Sequence, residues 1–186
     1  LGFVFVKIGL NEGMDPFYLL SIRFLGGFVI LYAIFRKKMK KITLYDMKAG
    51  IIIGMFQFFG YTFQTYGMLT TTASNNAFFT AINVVIVPYF FWLIYRERPN
   101  KSAFIASILC VAGIGIISFD KDMHLTSLNK GDILTIICAI FFAAQVAATG
   151  YYSERVHTLN LVFIQMVTGG VLFLGNLIIF SGAGAI

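Results

Sequence analysis

Charged side chains are scarce in this sequence. Asp, Glu, Lys and Arg make up 12% of its 186 residues, whereas a soluble domain carries about a quarter charged residues. The charges are also clustered, so several stretches reach the roughly 20 apolar residues that are needed to cross a bilayer. These features exclude a water-soluble fold. They predict an all-α, multi-pass membrane protein.

Residues that support catalysis, metal binding or redox chemistry are also few. The two cysteines, Cys110 and Cys138, lie in apolar runs without a CxxC spacing, so both are expected to be buried packing residues. The two histidines, His124 and His157, are far apart, and no nucleophile elbow or phosphate-binding loop is present. We therefore predict that the protein is not an enzyme and has no metal site and no cofactor.

Acidic residues are absent from the interiors of the predicted membrane helices. A proton relay built from carboxylates is therefore not supported by this sequence. All eight acidic residues fall at or beyond helix ends: Glu12, Asp15, Asp46, Glu97, Asp120, Asp122, Asp132 and Glu154.

Polar and charged segments divide the apolar sequence into seven predicted helices. The first is too short to span the bilayer and is expected to lack its beginning. The third and fourth share a charge-free segment, residues 49–95, in which the polar residues 70–76 predict a tight turn. Pro88 is expected to kink the fourth helix. The predicted helices cover residues 1–10, 16–35, 49–70, 76–95, 102–119, 133–153 and 159–180.

Basic residues are distributed unevenly between the two sides of this topology. Ten lie on one side, two lie on the other, and Lys7 and Arg23 lie within helices. By the positive-inside rule the richer side is cytoplasmic. The net charge of +6 therefore reflects topology rather than a nucleic-acid partner. The ten residues are Arg36, Lys37, Lys38, Lys40, Lys41, Lys48, Arg96, Arg98, Lys101 and Arg155.

The third helix carries a polar and small-residue stripe. Gly50, Gly54, Gln57, Tyr61 and Gln64 are spaced by four, three, four and three residues, which places them on one helical face. Small residues let helix backbones approach closely, and amides can bond across helices. The stripe therefore predicts either a helix interface or the wall of a cavity.

A second stripe on the fourth helix favours the cavity. Asn76, Thr80 and Asn83 again keep helical spacing, and polar groups at membrane depth need protein partners or water. Gln145 and Thr149 on the sixth helix could add to the same cavity. Its predicted lining residues are Gln57, Tyr61, Gln64, Asn76, Thr80, Asn83 and Gln145.

Two basic residues lie within predicted helices. Arg23 is seven residues past Pro16, or about 10 Å deep, where an isolated cation is costly. It could attract an anionic group of a substrate, or it could bond to backbone carbonyls or another helix, which is the preferred interpretation. Lys7 is one turn from Asn11, so it is expected to extend to the outer membrane interface.

Several segments between residues 60 and 120 resemble the EamA family of the drug/metabolite transporter superfamily. Residues 7–10, 16–24 and 131–144 extend this resemblance over nearly the whole chain. The matching segments are Gly60-Tyr61-Thr62-Phe63-Gln64, Thr71-Thr72-Ala73-Ser74-Asn75-Asn76-Ala77-Phe78, Asn83-Val84-Val85-Ile86-Val87-Pro88, Glu97-Arg98-Pro99 and Gly113-Ile114-Gly115.

The resemblance implies an inverted-repeat transporter fold of ten helices around a central cavity. An odd number of helices in each half makes the second half run in the opposite sense. Residues 1–120 would be the first repeat, helices 1–5 with helix 1 incomplete at its start, and residues 121–186 would begin the second with helices 6–7. The fold is thus expected to be truncated to about seven helices. Gly26-Gly27 and Gly169-Gly170 are a weak echo of the repeat.

The function implied by this resemblance is transport of small metabolites or drug-like compounds by alternating access through the central polar cavity. The alternative is a non-transporting membrane scaffold or assembly subunit, in which the polar stripes are only helix interfaces. The expected partners are the lipid bilayer and a small-molecule substrate of unknown identity. A homodimer is one assembly that the sequence leaves open. The expected location is the plasma membrane of a bacterium.

Overall fold

The computed structural model describes residues 2–96, 101–118 and 129–183. Within these residues the protein forms α-helices, with one 3-10 turn at Arg36–Lys38. Residues 97–100 and 119–128, at the two ends of the predicted fifth helix, lie outside the described residues, as does the side chain of Cys110. The α-helices are α1 (Gly2–Asn11), α2 (Pro16–Phe35), α3 (Leu44–Thr70), α4 (Ala73–Ala81), α5 (Asn83–Tyr95), α6 (Lys101–Ser118), α7 (Lys130–Ser153) and α8 (Thr158–Ala183).

The helix starts are set by side chains that accept hydrogen bonds from free backbone N–H groups. Asp15 accepts from the N–H groups of Phe17 at 2.7 Å and Tyr18 at 3.1 Å, next to a proline at the first helical position. Reciprocal capping boxes join Thr43 to Asp46 and Asn129 to Asp132. Each of the seven predicted helices corresponds to a helical segment, so the predicted all-α architecture is confirmed.

The fourth predicted helix is interrupted at one residue, Ile82. The break lies at Ile82, between α4 and α5, whereas α5 is helical through Pro88. The N–H of Ile82 bonds to the carbonyl of Phe79 at 3.2 Å, and the N–H of Val85 bonds to that of Ile82 at 3.0 Å. These shorter-range bonds tighten one turn there. Pro88 lies six residues further on, inside α5, and the kink predicted at it stays a prediction.

Length and composition identify membrane-crossing candidates among these helices. In the part of the chain that the structure describes, four segments are long and apolar enough to cross a membrane. The 27-residue α3 is not one of them, because its polar stripe lowers its hydropathy. The four segments are Pro16–Lys38, Ala73–Ile94, Lys130–Ser153 and Thr158–Ile179.

The helix α3 lies at the centre of the bundle, packed against α7 on one side and α8 on another. Aromatic side chains fill the core between α2, α3 and α8. Glycines bring α3 and α7 together, since a Cβ added at Gly60 would lie 2.7 Å from the ring of Phe142. Close packing of this kind fixes the faces that α3 presents to its neighbours. The core cluster contains Phe17, Leu20, Phe24, Phe58 and Phe173.

The start of α8 is tied to the start of α3 by buried polar side chains. Asn160 Nδ2 donates to Asp46 Oδ2 at 3.0 Å, ahead of the charge-free segment that begins at Ala49. Burial raises the pKa of Asp46, but hydrogen bonds from Thr43 and Asn160 and the nearby His157 outweigh it, so the pKa lies below its usual value. The carboxylate is therefore held in its charged form at this end of the bundle.

Candidate functional site

A cavity of about 350 Å³ lies among α1, α2, α3, α4, α5 and α7. Its volume is in the range of pockets that hold small molecules. Six of the seven predicted lining residues are found around it, together with Arg23. Its lining residues are Phe3, Val6, Arg23, Gln57, Tyr61, Gln64, Met68, Thr80, Asn83, Phe142, Gln145 and Val146.

The stripe on α3 has a different role at each end. At its start, a Cβ added at Gly50 would lie 2.5 Å from the Cβ of Ile164, and one added at Gly54 would lie 2.7 Å from the Cβ of Thr168. This end is an interface with α8. Further along, Gln57, Tyr61 and Gln64 face the cavity. Both readings of the stripe therefore apply, each to a different half of the helix.

Tyr61 is held in place by aromatic neighbours. Its ring packs edge-to-face against Phe24, with centroids 5.1 Å apart, and against Phe142, with centroids 4.9 Å apart. Because the two neighbours come from α2 and α7, the ring is fixed from both sides. Tyr61 is thus a rigid part of the cavity wall.

Gln64 and Thr80 join the walls contributed by α3 and α4. Gln64 Nε2 donates to Thr80 Oγ1 at 3.1 Å, and Thr80 Oγ1 donates to the carbonyl of Asn76 at 2.7 Å. Both side chains are nearly buried, with 7% and 8% of their surface exposed. The bond holds the two helices together while one face of each side chain meets the cavity.

Asn76 is the predicted lining residue that the structure places elsewhere. It is fully buried, and its Nδ2 donates to the carbonyl of Gln64 at 3.0 Å and to Thr135 Oγ1 at 2.9 Å. It therefore lies behind the wall and links α3, α4 and α7. The helical spacing correctly placed Asn76 on the polar face of α4. At Thr80 this face meets the cavity, but one turn earlier, at Asn76, it lies against α7.

The carbonyl freed by Pro88 also points away from the cavity. Pro88 cannot donate to the carbonyl of Val84. Ser107 Oγ on α6 donates to that oxygen at 3.4 Å, and Val84 is not part of the cavity wall. This carbonyl oxygen is therefore bonded to α6 rather than to a group in the cavity.

Arg23 reaches the cavity from α2. The guanidinium carbon lies 5.0 Å from the centroid of the Tyr61 ring, a cation–π distance. Within residues 2–96, 101–118 and 129–183, no hydrogen bond or ion pair from the guanidinium is found. Gln57 Oε1 is buried and likewise has no hydrogen-bond partner among those residues. Two strong polar groups on the cavity wall are thus left without partners in the described protein.

The sequence predicts that Lys7 extends to the outer membrane interface, and Lys7 bonds to the end of α3, which lies on that side in the predicted topology. Its ammonium donates to the carbonyls of Met68 and Thr71, the latter at 3.0 Å, at the end of α3. The last carbonyls of a helix lack partners and carry partial negative charge, so they attract a cation. Lys7 therefore caps α3, and it is not part of the cavity wall.

Sequence reasoning did not identify the apolar part of the lining. Phe3, Val6, Met68, Phe142 and Val146 also contact the cavity. Apolar residues dominate every helix here, so periodicity gives no signal that separates those facing a cavity from those facing lipid or core. Thr149, which could have added to the cavity, donates instead to the carbonyl of Gln145 at 2.8 Å.

Comparison with known proteins relates most of the chain to one group. Residues 1–119 match the model of the EamA-like transporter family. An uncharacterized transporter of Archaeoglobus fulgidus is 36% identical over 163 residues, which is 88% of this chain and 49% of the relative. The uncharacterized transporter YcxC of Bacillus subtilis is 25% identical over 189 residues, 98% of this chain and 60% of the relative. The chain thus spans about half to three-fifths of these relatives. No solved structure matches it significantly.

Proposed function

Because the chain belongs to the EamA-like transporter family, we propose that it moves small metabolites or drug-like compounds across a membrane by alternating access. The substrate would bind in the cavity among α1, α2, α3, α4, α5 and α7. Gln57, Tyr61, Gln64, Thr80 and Asn83 would form its polar wall. We assign the protein no catalytic role and propose the plasma membrane of a prokaryotic cell as its location.

One observation supports this proposal above all others. Polar side chains from α2, α3, α4, α5 and α7 converge on one cavity, although lipid disfavours such groups. Gln57 Oε1 lacks a partner within the described residues. An unmet buried acceptor costs about 1–3 kcal/mol, which a substrate or water could recover. A pure scaffold has no need of such a cavity.

An inverted repeat is the proposed framework for alternating access. Residues 1–120 would form the first repeat, which agrees with the extent of the family match, and residues 121–186 would begin the second. Helices α2 and α8, which would be equivalent, pack against each other near their paired glycines. A Cβ added at Gly27 would lie 3.2 Å from Met166 Cε, and one added at Gly170 would lie 2.6 Å from Leu25 Cδ2. Contact between equivalent helices is expected near a pseudo-two-fold axis.

The test uses single cysteines in the full-length protein after its native cysteines have been replaced. Gln64→Cys and Asn83→Cys place thiols on the proposed cavity wall, whereas Ile52→Cys and Phe90→Cys place them at apolar control positions. A small, neutral, water-soluble thiol reagent should label the first pair at least about tenfold faster, because only a hydrated thiol ionises readily. Substrate, once identified, should slow the labelling of the first pair.

The scaffold alternative makes the opposite prediction for the same variants. If the polar stripes were only helix interfaces, thiols at Gln64 and Asn83 would be as unreactive as those at Ile52 and Phe90. Equal rates at all four positions in folded protein would therefore reject the cavity as a transport site.

A further inference from the structure

The charge of the cavity wall comes from one residue. Among the described residues that line the cavity, Arg23 is charged and none carries a carboxylate. The other polar groups of the wall are amides and hydroxyl groups, which are neutral. The formal charge of this cavity wall is therefore positive, which favours anions over cations.

The guanidinium is in contact with one aromatic ring of the cavity wall. It lies over the ring of Tyr61, 5.0 Å from the centroid, and Phe24 and Phe142 fix that ring from two sides. The face of an aromatic ring attracts a cation without using its N–H donors. The five donors of a guanidinium form a planar fork that matches the two oxygens of a carboxylate.

The two cations within the bundle differ in their acceptors. Lys7 is satisfied by the carbonyls of Met68 and Thr71. Arg23, in contrast, donates to no acceptor within the described ranges. No hydrogen bond to another described helix therefore explains why a cation is present at this position. Arg23 is exposed in the described structure, so its guanidinium is open to a ligand. A bound oxyanion would accept bidentate, charge-assisted hydrogen bonds from the unused donors of the guanidinium.

We propose that the substrates of this cavity are small organic anions, and that Arg23 binds their carboxylate or equivalent oxyanion group. This rests on the proposed function, since it assigns a substrate class to the same cavity. The guanidinium over Tyr61 meets the oxyanion, and the apolar side of the cavity, formed by Phe3, Phe142 and Val146, accepts the organic part. The neutral amides of the wall bond to its remaining polar groups.

The experiment measures the charge preference of the cavity and does not require the substrate to be known. The full-length protein carries Asn83→Cys with its native cysteines replaced. Three methanethiosulfonate reagents are compared: sulfonatoethyl, which is anionic, trimethylammonioethyl, which is cationic, and hydroxyethyl, which is neutral. Each labelling rate is divided by the rate of the same reagent with a free thiol in solution, so that intrinsic reactivity cancels.

We expect the anionic reagent to react about tenfold faster than the cationic one after this correction. A unit charge about 10 Å away at an effective dielectric constant of about 50 changes each rate about threefold, in opposite directions for the two reagents, so their ratio changes about tenfold. Arg23→Gln should lower the ratio about tenfold, whereas Arg23→Lys should largely keep it. Lys48→Gln removes an exposed cation that does not line the cavity, so it is the matched control and should change the ratio less than twofold.

The outcomes separate this inference from the proposed function. If the neutral reagent labels quickly but the anionic and cationic reagents label at nearly equal corrected rates, the cavity has no preference for anions. That result would overturn the inference without contradicting the proposed transport cavity. No labelling by the neutral reagent would overturn both. If the ratio stays high in the Arg23→Gln variant, Arg23 is not the residue that binds the oxyanion. If Arg23→Gln does not fold, the ratio in the protein that retains Arg23 still decides whether the cavity prefers anions.

Discussion

Two cations lie within α1 and α2, and each is held by different chemistry. Lys7 bonds to the last carbonyls of α3, where the helix dipole and unpaired acceptors favour positive charge. Arg23 lies over the ring of Tyr61 and lines the cavity. At the scale of single residues, Lys7 therefore contributes to stability, and Arg23 is the residue proposed to contribute to binding.

Replacing Lys7 by methionine tests its capping role. Lys7→Met keeps the apolar stem but removes two hydrogen bonds to carbonyls of α3, so the free energy of unfolding should fall by about 1–2 kcal/mol. The measurement is unfolding in mixed micelles by a denaturing detergent. The control is Lys48→Met, which changes an exposed cation at the other end of α3 and should alter stability by less than about 0.5 kcal/mol. Equal effects of the two substitutions would contradict the cap.

At the scale of elements, α3 organises the bundle by presenting three different surfaces. Its first half packs against α8 through Gly50 and Gly54, its second half faces the cavity, and Gly60 and Gly67 admit α7. A Cβ added at Gly67 would lie 2.6 Å from Thr135 Oγ1 and 2.8 Å from the carbonyl of Gly131. Glycine along α3 thus controls which helices can touch it.

The seam between α3 and α8 should not accept a methyl group. A Cβ at Gly54 would lie 2.7 Å from the Cβ of Thr168 and 3.1 Å from the carbonyl oxygen of Gln165, so Gly54→Ala must push the helices apart. We expect the free energy of unfolding in detergent to fall by about 1–3 kcal/mol.

The same substitution on α2 provides the control for this seam. A Cβ at Gly26 meets no atom within 4 Å, so Gly26→Ala should be neutral or stabilising by up to about 1 kcal/mol through helix propensity. Thr168→Gly should recover part of the loss caused by Gly54→Ala, since the two sites are in contact. Additive effects of the two substitutions would argue against direct contact at this seam.

At the scale of the whole molecule, the orientation in the membrane remains a prediction from charge. Ten basic residues are predicted on one side of the topology and two on the other, and the richer side is expected to be cytoplasmic. In this orientation Asp15 and the start of α2 lie outside, whereas Asp46 and the start of α3 lie inside.

Labelling of intact cells tests this orientation. With native cysteines replaced, a membrane-impermeant thiol reagent should label Glu12→Cys, on the turn between α1 and α2, but not Lys38→Cys, after the end of α2. Permeabilised cells should show labelling at both positions, which controls for accessibility. The reverse pattern in intact cells would place the basic side outside and overturn the assignment.

The sequence by itself determined the class of the protein, its helices and the face of each helix that carries polar groups. In lipid, a long apolar run must form a structure that satisfies its own backbone hydrogen bonds, as a helix does. Helix caps such as Asp15 and Asn129 involve residues only two or three positions apart. Short-range sequence patterns are therefore sufficient to predict the helices and where they begin. The same periodicity identified Gln57, Tyr61, Gln64, Thr80 and Asn83 as polar positions that must face protein, water or ligand.

Only the tertiary structure decided what each of those positions meets. It separated the seam at Gly54 from the cavity at Gln57 on one stripe, moved Asn76 behind the wall, and gave Lys7 the carbonyls at the end of α3. Periodicity defines a direction around a helix axis, but the partner in that direction changes along the axis as neighbouring helices cross. The partners of Asn76 and Lys7 include residues about 60 positions away along the chain, and contacts over such separations leave no local pattern in the sequence.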